Sequence, residues 1–212
     1  MKHRVLSAAL VLTLSATACE LATTAAPTPV PDIPAALAQI PLDDDTSDAP
    51  AYDRDLFGGG WADTDSDGCD TRSERLAAES STPINTNKYC TVKSGTWDDP
   101  FVAGTQQISD PKQIDVDHIV PAAYGWRHGL WNASEAERER FFNWEPNLWP
   151  VSASENRSKS DSGPAEYAPP DPAIHCEYAQ TWVATATEFD LSITTADRDS
   201  LAVMLTACGS SE

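Results

Sequence analysis

An aspartate and a histidine stand side by side in the apolar run Asp115-Val-Asp-His-Ile-Val-Pro121, and two asparagines follow at Asn147 and Asn156. These are residue types that phosphodiester hydrolysis can use. Asp117 offers a hard carboxylate oxygen to a divalent cation, and Asn156, projecting from a helix, closes the same site. His118, with an ordinary pKa near ~6.5, is substantially neutral at pH 7 and can take a proton from an attacking water. It works only when its second ring nitrogen is held, a task that falls to Asn147. The cation would oppose the charge that develops on the phosphorus and leaving oxygens. Oxygen donors, with no Cys or second His offered, suit Mg²⁺ or Mn²⁺ better than zinc. Arg157 and Lys159 follow one and three residues past Asn156, within reach of a phosphate.

Successive strand residues face opposite sides. Asp117 and His118 can therefore share a site only if the strand bends there, and Pro121 marks its end. Around that strand, read over Ile114 to Val120, Arg72 to Ala78 reads as a short helix. Ser134-Glu-Ala-Glu137 is a capping box opening a helix through Phe142, with Phe141 and Phe142 toward a core. Ser152 or Ser154 begins the helix that carries Asn156. A helix from His175 to Phe189 puts Tyr178, Trp182 and Phe189 on one face, and Thr194 or Thr195 caps a last helix to Ala207. The seven tryptophans supply core and cleft walls, with Trp126, Trp131, Trp144 and Trp149 the alternative base-stacking groups.

These motifs resemble the HNH, or ββα-metal, nucleases, and in particular a secreted bacterial branch related to the C-terminal domain of the GmrSD restriction endonucleases. The likeness runs over residues 55–208 and includes Gly68-Cys-Asp-Thr-Arg72, the Asp-Val-Asp-His-Ile-Val-Pro segment with Trp126, Asn147-Leu148, Val151 to Lys159, Pro164-Ala-Glu166, Pro169-Pro170, and the tail around Cys176, Tyr178 and Cys208. It implies an α+β fold in which a ββα-metal core is embedded in a mostly helical, disulfide-stapled single domain. It also implies His118 as general base, Asp117 and Asn156 as metal ligands and Asn147 as the residue orienting the base. Asp70 and Arg72, within the shared stretch, would buttress the cleft. Asn156 stands where a His is common, and Ser160 where a Gly is more usual.

The chain begins with a basic n-region, Lys2 and Arg4, then an apolar stretch from Val5 to Ala16 and Ala16-Thr-Ala-Cys19. That is an export signal over residues 1–19, of bacterial appearance. Cys19 fits a lipobox and would be a lipid anchor, the only link to a membrane; cleavage at an Ala-x-Ala-type site is the competing reading. Removing Cys19 leaves four of the five cysteines, which allow three pairings in an oxidising compartment. Short separation and the family resemblance favour Cys69–Cys90 and Cys176–Cys208, each contributing roughly 3 kcal/mol in the chain-entropy model. No Cys-x-x-Cys spacing supports a zinc site.

Residues 20–50, rich in Ala, Thr, Pro and Asp, read as a disordered tether, and residues 51–212 as one nuclease domain. Asp63-Thr-Asp-Ser-Asp-Gly-Cys-Asp-Thr-Arg-Ser-Glu74 matches the ligand order of a calcium loop, with Asp63, Asp65, Asp67 and Glu74 as donors and Gly68 at the turn. Gly-Gly-Gly-Trp61 precedes it where such a loop ordinarily has a helix. The net charge of −19 opposes a polyanionic ligand. Segment 112–159 is nearly neutral, however, with six basic and seven acidic residues, so the acidity lies elsewhere.

Together these features describe an exported, monomeric, metal-dependent endonuclease acting on DNA, or alternatively RNA, with little sequence specificity. The alternative is a non-catalytic, calcium-stabilised surface lipoprotein that serves as a binding module.

Overall fold

The computed structural model describes residues 33–104 and 107–209, so the export signal, Cys19 and residues 20–32 of the expected tether lie outside the described residues. The fold is built around a two-stranded antiparallel ribbon. Strand β5 (Ile114–His118) pairs with β6 (Leu148–Ser152), aligning Asp117 with Trp149 and His118 with Leu148. Helix α5 (Ala153–Lys159) leaves β6 directly, its first turn capped by Ser152, whose Oγ accepts from Glu155 N–H at 3.2 Å. Sequence periodicity misses β6 because Pro150 sits in its middle. A two-stranded ribbon has only edge strands, where a residue lacking an N–H is tolerated.

Between β5 and β6 the chain makes α3 (Ala122–Arg127) and α4 (Glu135–Phe142). Half of the expected capping box forms at the start of α4: Ser134 Oγ accepts from Glu137 N–H at 3.2 Å, while the Glu137 carboxylate turns to Arg140 at 2.7 Å. Phe141 and Phe142 are fully buried. Helix α6 (His175–Glu188) buries Tyr178 and Trp182, and α7 (Thr195–Leu205), capped by Thr194, lies against it. The ribbon separates two apolar clusters. Ile119, Val120 and Val151 join the larger one with α3, α4, α6 and α7. Ile114, Val116 and Leu148 join a smaller one with Leu76 of α2 (Thr71–Ala78) and Trp97. Burial on both faces accounts for the largely apolar character of the run around Asp117.

Short strand pairs complete this mixed α/β domain: β1 (Asn85–Thr86) with β2 (Val92–Ser94), and β3 (Trp97–Asp98) with β4 (Gln107–Ile108). Disulfides join Cys69 to Cys90 and Cys176 to Cys208, with Cα separations of 5.1 and 4.9 Å. No helix among the described residues is long and apolar enough to cross a membrane.

The tether expectation needs correction from residue 33 onward. Helix α1 (Ile33–Leu37) buries Leu37, Ile40 is 7% exposed, and both pack into the larger cluster. Backbone bonds tie Asp43 N–H to the Ile193 carbonyl at 2.9 Å and Ile193 N–H to that of Pro41 at 3.0 Å. The Trp126 indole donates to the Pro50 carbonyl at 2.7 Å. A few well-placed apolar residues in a polar, proline-containing segment suffice to dock it, without any periodicity to reveal them.

Candidate active site

At the end of β5 the chain turns sharply, and Asn147 holds the turn. Its Oδ1 accepts from Val120 N–H at 2.8 Å, its Nδ2 donates to the Val120 carbonyl at 3.1 Å, and its own carbonyl accepts from Ile119 N–H at 2.9 Å. The side chain is fully buried and its hydrogen bonds go to Val120 and Thr185, while the imidazole bonds to Phe142, correcting the expectation that Asn147 orients His118 by a ring hydrogen bond. It instead sets the bend that lets consecutive residues of one strand, Asp117 and His118, line one cleft.

The imidazole of His118 is held by the α4 terminus. Its Nε2 lies 2.8 Å from the Phe142 carbonyl. A carbonyl only accepts, so the ring carries its proton on Nε2 and keeps the Nδ1 lone pair free. Trp61 stacks on one side at 5.3 Å and 14°, and Phe141 lies nearly parallel at 6.2 Å and 10°. Burial in this setting pushes the His118 pKa down to about 3, against the opposing pull of the Phe142 carbonyl. The ring is thus a neutral, tautomerically fixed base at neutral pH.

Lys159 is fully buried. Its ammonium donates to the His118 carbonyl at 3.0 Å and sits 3.3 Å from Asp117 Oδ1. Asp117 Oδ2 is buried without a hydrogen-bond partner. Burial raises the Asp117 pKa to about 6, with Lys159 pulling it back toward ionisation. Burial lowers the pKa of Lys159, and the Asp117 charge opposes that shift. Nearby, Asn156 Nδ2 donates to Asp115 Oδ2 at 3.0 Å, and both residues line the cleft. Asp115 was missing from the expected ligands, although Asp-Val-Asp spacing places it on the same strand face as Asp117. Three oxygen-bearing side chains on a cleft of about 510 Å³, one with an orphaned carboxylate oxygen, suit a hard divalent cation.

A family profile described as "GmrSD restriction endonucleases, C-terminal domain" matches residues 70–204. The chain belongs to this family. It is also similar to a protein from Arthroderma benhamiae named "Uncharacterized secreted protein", 31% identical over 159 residues that cover 74% of this chain and 76% of that relative. That relative comes from a fungus, whereas the likeness read from the sequence is to a bacterial branch. No solved structure matches the chain. Membership in the GmrSD C-terminal-domain family gives the chain a nuclease-type domain. Asp115, Asp117, His118, Asn147 and Asn156 all lie within the matched residues, whereas Tyr52, Arg54 and Trp61, which also line the cleft, precede them.

Elsewhere in this GmrSD-family domain, several expectations fail. Lys159 cannot reach a phosphate, because its charge is spent inside on Asp117 and a carbonyl. Arg157 lines a separate hollow with Lys112, Gln113 and Ser154. Helical spacing explains both: residues 156, 159 and 160 share a face of α5, and residue 157 is rotated about 100° away. The cleft's cations are instead Arg54 and Arg72. Asp70 does not line it, but caps α2 by accepting from Ser73 N–H at 2.7 Å. Trp126, Trp131, Trp144 and Trp149 are absent from its walls, and Trp61 is the tryptophan that the cleft contains. A larger hollow of about 660 Å³ beside α4 gathers neither a histidine nor a buried charge.

The acidic loop forms a second constellation. Asp63, Asp65 and Asp67 are exposed and each brings one carboxylate oxygen within 4.8 Å of the others. Gly68, at φ +94°, makes the turn. Glu74, in the first turn of α2, has its pKa raised by partial burial and by the Asp65, Asp67, Glu145 and Asp63 charges. The loop thus precedes a helix, while the segment before it, Gly58–Ala62, is non-helical.

Proposed function

We propose that this protein is an exported, metal-dependent endonuclease of the ββα-metal type, cutting DNA phosphodiester bonds with little sequence specificity. The observation that carries the reading is the convergence, at the junction of β5, β6 and α5, of a neutral His118 with the oxygens of Asp115, Asp117 and Asn156. His118 Nδ1 takes the proton of the attacking water while Phe142 holds Nε2–H and keeps the ring aimed. The substrate phosphate and the Phe142 carbonyl both stabilise the imidazolium that forms. Lys159 positions Asp117 and partly offsets the cost of burying its carboxylate. Asp117, Asp115 and Asn156 would hold a divalent cation, which would supply counter-charge to the charge that develops on the phosphate and the leaving 3′ oxygen.

Export, with removal of the leader and lipidation of Cys19, would place the domain in the oxidising surroundings that its two disulfides require. Mass spectrometry of the mature N-terminus reads whether Cys19 is lipidated. The reaction is tested by incubating the oxidised, monomeric protein with supercoiled plasmid and with RNA, in Mg²⁺, Mn²⁺ or EDTA. Cation-dependent nicking of plasmid is expected. Absence of cleavage of either polymer with every cation, by folded protein, would overturn the reading.

A further inference from the structure

In a chain of net charge −19, the cleft around His118 gathers cations against its carboxylates, with Arg54 and Arg72 on its wall and Lys159 and Arg127 behind it. Three carboxylates line it, those of Asp115, Asp117 and Asp161. Lys159 is committed to Asp117 at 3.3 Å and Arg127 to Asp161 at 2.7 Å. The two cations that line the cleft itself are Arg54 and Arg72, and neither forms an ion pair with a carboxylate among the described residues. Neither belongs to the nearly neutral 112–159 segment; folding brings both in from the acidic part of the chain.

Their placement is informative. The Arg54 guanidinium lies 4.7 Å from the Phe142 ring centroid, and that ring is 4.4 Å from the imidazole of His118, at one end of β5. Arg72 Nη2 donates to the Ile114 carbonyl at 3.4 Å, at the other end. The four residue steps between Ile114 and His118 span roughly 13 Å. A backbone crossing Asp117 and His118 can therefore meet a planar, unneutralised guanidinium at each end, the group best shaped to grip phosphate oxygens. We propose that Arg54 and Arg72 are phosphate subsites that hold the nucleic-acid backbone on either side of the cleaved bond. The inference rests on the nuclease reading and names the groups that let an acidic protein hold a polyanion. Arg54, which precedes the family-matched residues, makes the segment around Tyr52 part of the substrate site.

The test uses the oxidised full-length protein with His118→Ala, so that the probe survives, and a fluorescein-labelled DNA oligonucleotide. Binding is followed by anisotropy from 25 to 200 mM NaCl. Arg54→Gln and Arg72→Gln are each expected to weaken binding roughly tenfold. Each should also reduce the slope of log K against log salt by about one. Arg157→Gln, in its separate hollow, should leave both unchanged. With His118 intact, Arg54→Gln should raise KM and leave kcat within about twofold, and Arg54→Lys should restore most of the affinity. Unchanged affinity and salt slope in both glutamine variants, with melting temperatures as in the parent, would overturn the proposal. So would loss of affinity that appears equally in Arg157→Gln. Failure of the nuclease reading is distinguishable: the intact protein would not cleave, yet binding would still depend on Arg54 and Arg72.

Discussion

Two acidic clusters face solvent or cleft within one small domain, and their oxygens are satisfied in opposite ways. In the loop, Asp63 accepts from the N–H groups of Asp67 and Gly68, Asp65 from Asp67, and Asp67 from Cys69, all at 2.7–3.1 Å and exposed. Backbone and water settle those charges. In the cleft, Asp117 is 5% exposed, shares one oxygen with a fully buried lysine and leaves the other without a partner. An oxygen left unsatisfied away from water is costly. A cluster of carboxylates is common in so acidic a chain; a buried carboxylate held by an internal lysine beside a neutral imidazole is not explained by solubility.

The sharpest break of this comparison comes from substitution. Asp117→Ala should lower plasmid nicking by about a thousandfold, a loss in the range expected of a lost transition-state charge interaction. Asp63→Asn, Asp65→Asn and Asp67→Asn combined should leave it within about threefold. Equal losses in the two variants would erase the distinction drawn here. Next in size, Lys159→Met strips the counter-charge from a buried carboxylate and should destabilise the fold by about 3–5 kcal/mol, read by urea unfolding. Adding Asp117→Asn should recover much of that loss; additive destabilisation would mean that the pair is not coupled.

Acid sharpens the contrast further. Burial lowers the pKa of both His118, to about 3, and His128. A folded-state value below the unfolded ~6.5 means that the native state binds fewer protons, so stability is present above that pH and is lost as pH falls through the window below it. Asp117, raised to about 6, acts in the opposite sense between that value and the usual carboxylate range. In EDTA, the melting temperature should fall as pH drops below 6.5, more steeply in Asp117→Asn and less steeply in His128→Gln. A flat profile would contradict the burial of the imidazoles. The smallest effect is local. Ser160 ends α5 at φ +51°, a conformation that favours glycine, so Ser160→Gly should raise stability by about 1 kcal/mol with nicking intact, measured by urea unfolding. Unchanged or lower stability would show that Ser160 carries no strain.

The proposed site was legible in part because chemistry constrains residue types and order: Asp117, His118 and Asn156 line one cleft, and Asn147 lies behind it, holding the turn rather than the imidazole. So were the caps at Ser134, Ser152 and Thr194, because a side-chain oxygen before a helix has one local job. What was not legible depends on folding. The partner of His118 is a backbone carbonyl, that of Phe142, which no residue type announces. Lys159 reads as a surface cation because lysines are almost never fully buried unless paired, and its pairing is set by α5 packing on β5. Arg54 and Trp61 enter the cleft from a segment more than fifty residues before His118, an approach that no local pattern encodes.

The most direct test of the account is a time course of plasmid nicking in Mg²⁺ by the intact protein and by His118→Ala, both checked for folding and disulfides. The account predicts steady nicking by the intact protein, arrested by EDTA, and a rate at least about a hundredfold lower for the variant. Nicking by His118→Ala at the parental rate would contradict it.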